Sequence, residues 1–364
     1  MLLGYGVDLT IAELSRRLAA HGHDVTVFAT TFDETYAGQG FTIEKVAIGG
    51  GEWNRAFPIF EWNAQKTLHR MRKRLAEFDV LVAATFPFYG VWKHFEGPTV
   101  FFDFGNVPTL GFSFKGKLNW QYLHLRETYQ HAPKSAAVIT ISRFLAHRFR
   151  QKEQKKLRVI HLGGDHYWND FERRGADAIG VRREARARYG IGKDEVAIIS
   201  CLRLHKRHPP YKGLRELLRL HKELRERKLP VRLVLAGLGS PDDEAWLREE
   251  GATPLTNLPP AEMPDFYLAG DIYATASRWE GLNLPLIESA WFALPSVAYA
   301  VAAHPETTAS RLVRSHEEFR KSLAELVQNP ALRQEMGSES RRRAQAFSWE
   351  QAYEDFARVL KSVI

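Results

Sequence analysis

The chain has 364 residues, of which 45% are hydrophobic and 26% are charged, so its length predicts two domains and its composition excludes a disordered protein. Its formal net charge is +8, and a single cysteine, Cys201, excludes an internal disulfide bond and fits a reducing compartment. No run of about 18 apolar residues predicts a membrane span and no leader peptide is recognisable at Met1, so we expect a soluble, cytoplasmic protein.

The positive charge is concentrated in the first half of the chain. Residues 1–165 hold 21 lysines and arginines against 15 aspartates and glutamates, a net charge of +6. The segment from Lys66 to Arg74 carries five positive charges, and the segment from Arg143 to Arg158 carries seven. Such patches favour anionic lipid, nucleic acid or an acidic ligand, and a solvated helix face is the alternative interpretation. Because the patches lack interleaved aromatic residues that would stack on bases, we expect no nucleic-acid partner.

Helix-like and strand-like patterns alternate through the first half. Ile11, Leu14 and Leu18 recur at helical spacing, and Gly22 is placed to end that helix. Two further helices are predicted over residues 61–77 and 118–131. Short apolar runs predict strands over residues 24–29, 78–83, 98–102, 137–141 and 158–162.

The second half repeats this alternation. Strands are predicted over residues 196–202, 231–236, 271–276 and 296–300, and helices over 214–227, 242–250, 285–292, 317–327, 330–346 and 349–363. Short apolar strands separated by helices are typical of parallel sheets covered by helices on both faces. We therefore expect an α/β protein of two doubly wound, Rossmann-like domains, with ligands bound in the cleft between them at the carboxyl ends of the strands.

The domain boundaries follow from the same pattern. We predict a first domain over residues 1–165, a second over 166–346, and a closing helix over 347–364 that packs back on the first domain. The polar stretch 163–192 contains several glycines, and we expect it to connect the domains and to supply the first helix of the second.

The most informative motif lies between a predicted strand and the helix that Pro285 opens. The N-terminus of a helix offers free N–H groups and a positive dipole end, which suit an anionic ligand. Glu280 lies in the preceding loop and Glu288 lies one turn into the helix, so both carboxylates can point at one ligand. Carboxylates that hold sugar hydroxyls beside a phosphate-binding helix suit a nucleotide sugar. A loop cap at Glu280 and a surface position for Glu288 are the alternative.

Seven residues separate Glu280 from Glu288, and this segment resembles the E-x7-E signature of the retaining GT-B glycosyltransferases of family 4. Other segments resemble that family in the same order along nearly the whole chain. They are an opening glycine loop with Gly4 and Gly6, a strand at 137–142, the segment 159–165, an Arg203…Lys212-Gly213 phosphate clamp, a strand-then-glycine turn at 234–239, and the start of the closing helix at 347–350.

The resemblance implies a GT-B fold and a role for each acidic residue of the motif. Glu280 would contact the donor sugar, and Glu288 would hold the ribose of the nucleotide. The backbone of the intervening segment would approach the donor at Gly281, Leu282, Asn283 and Leu284.

The resemblance also implies roles for basic residues and glycines. Arg203 and Lys212 would neutralise the diphosphate and stabilise the leaving group, and surface charge is the alternative interpretation. Gly4 and Gly6 would lie near the donor. Because the fixed cations Arg203 and Lys212 would neutralise the diphosphate, no metal is expected. No cofactor is expected either, since the nucleoside-diphosphate sugar is a substrate.

Two departures from the family concern the first half of the chain. The family begins with a strand before its glycine loop, whereas Met1 falls almost on that loop. We therefore expect either that the first strand is missing or that the true start lies upstream. Many members carry a histidine near the reacting sugar carbon, after the strand that corresponds to residues 98–102. Asp103 is the nearest polar substitute here and a catalytic candidate, and a turn residue before Gly105 is the alternative.

Two further departures lie in the second half. The spacing from Arg203 to Lys212 is longer than usual, so Lys206 or Arg207 can share the phosphate role. Asn283 replaces the commoner glycine, a mild change because asparagine tolerates a left-handed backbone.

The function implied by the resemblance is that of a metal-independent, hexosyltransferase-like enzyme, which transfers a sugar from a nucleoside-diphosphate sugar to an acceptor hydroxyl with retention, as in polysaccharide biosynthesis. The basic first half favours a lipid-linked or cell-surface acceptor, with Lys66 to Arg74 against the anionic inner face of a membrane. The alternatives are a nucleotide-sugar epimerase or a phosphorylase of the same layout, and an inactive nucleotide-sugar-binding protein.

Overall fold

The computed structural model describes residues 6–49, 57–109, 112–206 and 210–364. The chain divides into two compact units. The first unit comprises Met1–Leu162 and Trp349–Ile364, and the second comprises Gly163–Ser348. No helix within the described ranges is long and apolar enough to cross a membrane.

The first unit is built of parallel strands and helices. Its strands are β1 (Thr26–Ala29), β2 (Thr42–Lys45), β3 (Leu81–Ala83), β4 (Thr99–Asp103), β5 (Ala137–Thr140) and β6 (Leu157–Val159). Its helices are α1 (Gly6–Ala20), α2 (Phe57–Leu75), α3 (Phe114–Arg126), α4 (Ala132–Lys134), α5 (Arg143–Ala146) and, from the end of the chain, α14 (Trp349–Lys361). A π-helical turn, Glu127–His131, joins α3 to α4.

The closing helix α14 packs within the first unit. The ring of Tyr353 stacks on His21 with the ring centroids 4.3 Å apart, and Arg17 lies 3.6 Å from Glu350. Phe356 on the same helix stacks on Phe102 of β4 at 5.7 Å.

The strands of the first unit form two separate parallel sheets. β1 pairs with β2, and β3, β4, β5 and β6 follow one another in the second sheet. Within the described part of the chain, no strand pairs with β1 on the side away from β2, or with β3 on the side away from β4. A cavity of about 540 Å³ is lined by both of these strands and by apolar side chains of α1, α2 and α14, among them Leu14, Leu75 and Leu360.

The second unit contains one parallel sheet in the order β12-β11-β10-β7-β8-β9. The strands are β7 (Val196–Cys201), β8 (Val231–Gly237), β9 (Thr253–Thr256), β10 (Ile272–Thr275), β11 (Ser296–Tyr299) and β12 (Arg311–Val313). The helices are α6 (His166–Arg174), α7 (Ala178–Arg188), α8 (Leu214–Glu226), α9 (Pro241–Glu249), α10 (Met263–Ala269), α11 (Leu284–Trp291), α12 (His316–Gln328) and α13 (Pro330–Ala344).

Helices cover both faces of this sheet, because its strands are apolar on both sides. In β8, Leu233 and Leu235 pack into one hydrophobic cluster, whereas Val234 and Ala236 pack into the other. This arrangement is typical of a doubly wound fold and confirms the predicted α/β class.

Candidate functional site

The candidate site lies where the order of strands in the second sheet reverses. β8 and β9 extend from β7 in one direction, and β10, β11 and β12 extend in the other. Ligands of open parallel sheets bind at such a point, outside the carboxyl ends of the strands. Arg203 follows β7 and Glu280 follows β10, so the fold brings these two predicted residues to the same edge of the sheet.

Lys212 and Glu280 form a direct ion pair at this edge. The Lys212 ammonium group donates to both carboxylate oxygens of Glu280, at 3.0 and 2.9 Å. Burial disfavours the charged form of Lys212, but the Glu280 carboxylate outweighs that effect and raises the pKa of the lysine. A fixed positive charge is therefore held at the end of β10, in a position suited to a phosphate.

Gly213 explains how Lys212 reaches that position. Its φ is +73°, and a Cβ atom there would overlap the carbonyl oxygen of Ala276, directly after β10. Only glycine lets the backbone pass this close. The backbone N–H of Arg278 also donates to the carbonyl of Tyr211 at 2.7 Å, which ties the lysine segment to the Glu280 loop.

A cavity of about 280 Å³ lies beside this ion pair, and five of its eleven described lining residues are cationic. The aromatic ring of Trp246 forms part of its wall, with the Lys206 ammonium group 5.6 Å from the ring centroid. Asp243 holds the adjacent loop, because it accepts from the backbone N–H of Lys206 at 2.8 Å. Lys206 lines the same cavity as Arg203 and Lys212, as expected if it shares the phosphate role. Arg207, the other residue considered for that role, lies outside the described residues. The cationic residues of the lining are Arg203, Lys206, Lys212, Arg215 and Arg278.

The loop after Glu280 leads into α11 through an asparagine cap. The Asn283 carbonyl oxygen accepts from the Leu286 N–H at 3.3 Å, and the Asn283 amide nitrogen lies 3.1 Å from Nε2 of His304. The other predicted donor-binding residues of this loop, Gly281, Leu282 and Leu284, are also buried.

Glu288 is buried on α11, with 4% of its surface exposed. It accepts a hydrogen bond of 2.5 Å from the Tyr267 hydroxyl of α10, and His166 of α6 lies 3.6 Å from its other oxygen. Burial raises the pKa of Glu288 to about 7, against the lowering effect of the tyrosine bond. A carboxyl group poised between its two forms can either donate to or accept from a ribose hydroxyl.

Cys201 is the last residue of β7, and the charges of Glu288 and Lys212 both act on its thiol. Burial raises the pKa of its thiol to about 12, with Glu288 raising it further and Lys212 lowering it. A thiol held neutral in this way is a poor nucleophile, which fits a structural role for Cys201.

Asp103 lies in the first unit, at the end of β4, and is buried. Its carboxylate accepts from the backbone N–H of Gly105 at 3.0 Å, which is the turn considered as the alternative to a catalytic role. Arg148 lies 3.4 Å away, and Thr140 donates to the same carboxylate at 3.4 Å. Burial raises the pKa of Asp103. Internal partners therefore surround this carboxylate.

One of the two glycines predicted for the opening loop lies in the described part of the first unit. Gly6 is the first residue of α1, whereas Gly4 lies outside the described residues. Within the ranges that the structure describes, no group of three or more His, Cys, Asp and Glu side chains is arranged to hold a metal ion.

Three residues of the site were not predicted from the sequence. Tyr267 is 21 positions from its partner Glu288, and no spacing rule connects them. Trp246 reaches the cavity from α9. His304 follows β11 in an Ala-Ala-His-Pro-Glu segment, and the only sequence signal was its position just after a predicted strand, where site residues of such folds are found.

Comparison with known proteins covers both units. A family model described as Glycosyltransferase Family 4 matches residues 5–166, and one described as Glycosyl transferases group 1 matches residues 196–329. A D-inositol 3-phosphate glycosyltransferase from Streptomyces coelicolor is 27% identical over 203 residues, which cover 50% of this chain and 44% of that protein. The chain thus spans about half the length of the curated relatives it matches.

Solved structures resemble the chain over almost its whole length. The HepE protein of Anabaena, in complex with UDP and glucose, superimposes with a TM-score of 0.75 at 14% identity, covering 100% of this chain and 97% of that one. Sucrose-phosphate synthase from Thermosynechococcus elongatus gives 0.74 at 16% identity, covering 98% and 93%. At such identities the likeness establishes the fold, which is GT-B. With both family models in chain order, the protein belongs to the family 4, group 1 glycosyltransferases.

Proposed function

We propose that the protein is a retaining glycosyltransferase that moves a sugar from a nucleoside-diphosphate sugar to an acceptor hydroxyl. The observation that carries this proposal is the Lys212–Glu280 ion pair beside a cavity lined by cations, at the strand-order reversal of the second sheet. A diphosphate leaving group gains negative charge as its bond to the sugar breaks. Fixed cations at that position stabilise the transition state more than the ground state.

The proposed reaction follows the family resemblance. The bond between the anomeric carbon and the diphosphate oxygen breaks, and the acceptor oxygen forms its bond to the same face of that carbon. The acceptor proton passes to a phosphate oxygen of the leaving diphosphate, so this scheme needs neither a carboxylate pair nor a metal. Arg203 and Lys212 would hold the diphosphate, Glu280 the sugar and Glu288 the ribose.

The acceptor would bind in the first unit, and we propose a lipid-linked or cell-surface glycan. The segment from Lys66 to Arg74 supports this choice, because most of its cationic side chains are exposed on α2. Since several curated relatives bear the name D-inositol 3-phosphate glycosyltransferase, inositol phosphate belongs in the acceptor panel as well.

A second candidate is a protein that binds a nucleotide sugar without transferring it. The observation that favours it is Asp103, the nearest substitute for the family histidine, which is enclosed by Arg148, Thr140 and Gly105. The two candidates differ in whether the bound sugar is transferred to an acceptor. Release of nucleoside diphosphate that depends on acceptor supports the transferase, whereas donor binding without release supports the second candidate.

The first test is a thermal-shift panel of UDP, GDP, ADP and their sugars. A ligand that binds the native state raises Tm by mass action, so one nucleotide should produce a clear shift. Glu288→Gln should abolish that shift, whereas Glu127→Gln should retain it. Glu127 is a matched control, because it is a buried carboxyl of the first unit whose pKa burial likewise raises to about 7. The absence of a shift with every nucleotide would contradict the proposal.

A further inference from the structure

The outward face of α3 is apolar, although helices on protein surfaces normally turn polar residues outward. Phe114 is 79% exposed, Leu118 is 50% exposed and Leu125 is 49% exposed. At about 100° per residue, Leu118 lies about 40° and Leu125 about 20° from Phe114 around the helix axis. The three side chains therefore form one stripe along the helix. Its inward face is already occupied by Leu123, which packs in the core.

Lysines flank this stripe on both sides. Lys115 follows Phe114 by one position and Lys117 precedes Leu118 by one, so they lie on opposite sides of the apolar line. Arg126, the remaining cation of α3, is bound to the buried Glu61 of α2. No acidic residue occurs in α3, so the outward face carries positive charge and apolar surface together.

The neighbouring helix α2 presents the same combination. It lies beside α3, because the Tyr122 hydroxyl of α3 donates to Glu61 of α2 at 2.7 Å. Trp62 on α2 is 59% exposed, and the Lys66 ammonium group sits 3.3 Å from the centre of its ring. The only acidic residue of α2 is Glu61, which is buried. The exposed residues at helical spacing on this helix are Ile59, Trp62, Lys66, Arg70 and Lys73.

We infer that the outward faces of α2 and α3 form a docking surface for an anionic lipid bilayer. The apolar stripe of α3 and the ring of Trp62 would enter the interface, where aromatic rings are favoured. Lys66, Lys115 and Lys117 would meet the lipid phosphates. The inference goes beyond the donor chemistry and does not depend on it. It also extends the membrane contact expected from the sequence, Lys66 to Arg74, because the α3 stripe supplies the apolar contact that a stable peripheral attachment needs.

The test is co-sedimentation of the full chain with vesicles. Binding is expected to vesicles that contain phosphatidylglycerol and not to those of phosphatidylcholine alone. It should weaken strongly at about 1 M salt, where the screening length falls to about 3 Å. Phe114→Ser combined with Leu118→Ser should lower partitioning at least tenfold. The matched control is Ile179→Ser with Leu312→Ser, which removes two exposed apolar side chains of the second unit, 77% and 42% exposed, and should bind as the wild type.

A charge series completes the test. Lys66→Gln and Lys73→Gln should each lower partitioning about fivefold. Lys193→Gln and Lys222→Gln, at exposed positions of the second unit, should have no effect. The inference is overturned if the wild type ignores phosphatidylglycerol vesicles at low salt, or if the Phe114→Ser, Leu118→Ser variant binds them equally well. A wild-type dimer that this variant dissociates, with no vesicle binding, would also overturn it and indicate a second copy of the chain as the partner.

The result of the vesicle test can be distinguished from the result of the nucleotide thermal-shift test. All six surface variants should keep the nucleotide-induced thermal shift of the wild type, because their substitutions lie outside the candidate donor site. A protein that binds vesicles but no nucleotide would leave this inference standing and contradict the proposed function.

Discussion

The amide nitrogen of Asn283 donates a hydrogen bond to Nε2 of His304 over 3.1 Å. The other ring nitrogen, Nδ1, lies 2.8 Å from the Tyr299 carbonyl oxygen and must donate to it. His304 is therefore a neutral imidazole with its proton on Nδ1. Because the side-chain NH₂ group of Asn283 must face the ring, the side-chain oxygen of Asn283 points the other way. This oxygen accepts from the backbone N–H of Leu286 and so caps α11. A single buried tautomer thus orients the start of the helix beside Glu280.

Protonation of His304 should loosen this arrangement. Burial lowers the pKa of His304 below 6.5, with Glu280 opposing that shift and Lys212 adding to it. The unfolded chain takes up a proton near pH 6.5 and the folded protein resists it, so the contribution of His304 to stability is complete above that pH and declines as the pH falls below it. The free energy of unfolding should fall less steeply below pH 6.5 in His304→Gln than in the wild type. Identical slopes in urea titrations of the two would contradict this prediction.

Removing one partner of the Lys212–Glu280 pair should be costly. Lys212→Met leaves the Glu280 carboxylate, whose side chain is 11% exposed, without its cation. We expect a loss of roughly 1–3 kcal/mol in unfolding free energy, below the range for fully buried pairs because Lys212 is 24% exposed. Chemical denaturation measures it. The double variant with Glu280→Gln should recover part of the loss, and strict additivity of the two changes would show that the pair is not coupled.

Gly213→Ala should destabilise the protein and weaken nucleotide binding together. The new Cβ would meet the Ala276 carbonyl and displace Lys212 from Glu280. Gly190→Ala is the matched control, because Gly190 also has a positive φ of +65° but nothing lies within 4 Å of a Cβ placed there. The control measures the cost of the backbone conformation, about 1–2 kcal/mol. We expect Gly213→Ala to lose more unfolding free energy than Gly190→Ala in chemical denaturation. Equal losses would show that the contact with the Ala276 carbonyl does not require a glycine.

Glu288 should make stability depend on pH in the opposite direction from His304. Burial raises its pKa from 4.5 to about 7, so its contribution is fully present below pH 4.5 and is lost as the pH rises through about 7. Glu288→Gln removes that loss. As the pH rises from 4.5 to above 7, the free energy of unfolding of the variant should therefore increase relative to that of the wild type, by up to about 3 kcal/mol. Thermal unfolding across this pH interval provides the measurement, and a constant difference between the two proteins would rule the shift out.

The sequence predicted the second unit well because its strands are short, apolar and bounded by helices. β7, β10 and β11 lie within predicted strands, and β8 extends one residue beyond its predicted end at 236. The motif also gave the correct relation of Glu280 to the end of β10 and of Glu288 to α11, since spacing along one strand, loop and helix is a local property. The family membership inferred from the ordered motifs is confirmed by the two family models.

Elements with mixed composition were missed. β2 carries two charged residues among four, and β9 contains Pro254, so neither shows the apolar run that indicates a strand. α10 is only seven residues long and contains Pro264. The stretch 163–192 forms two helices, α6 and α7, where one was expected.

Tertiary partners could not be predicted at all. The bonds of Glu288 with Tyr267 and of Asn283 with His304 each span 21 positions, and they exist only because parallel strands carry distant segments to one edge. Similarly, the exposure of Phe114 and Leu118 depends on which face of α3 the core covers. Composition alone would have placed both residues inside.

The cavity between β1 and β3 has a consequence for how this chain behaves in concentrated solution. An extended apolar peptide entering it would meet a strand edge on each side and apolar side chains above, so it would gain main-chain hydrogen bonds and burial at once. Strand edges of this kind are templates for association unless they are covered. The chain should therefore capture β-prone segments and bind dyes that report exposed hydrophobic surface.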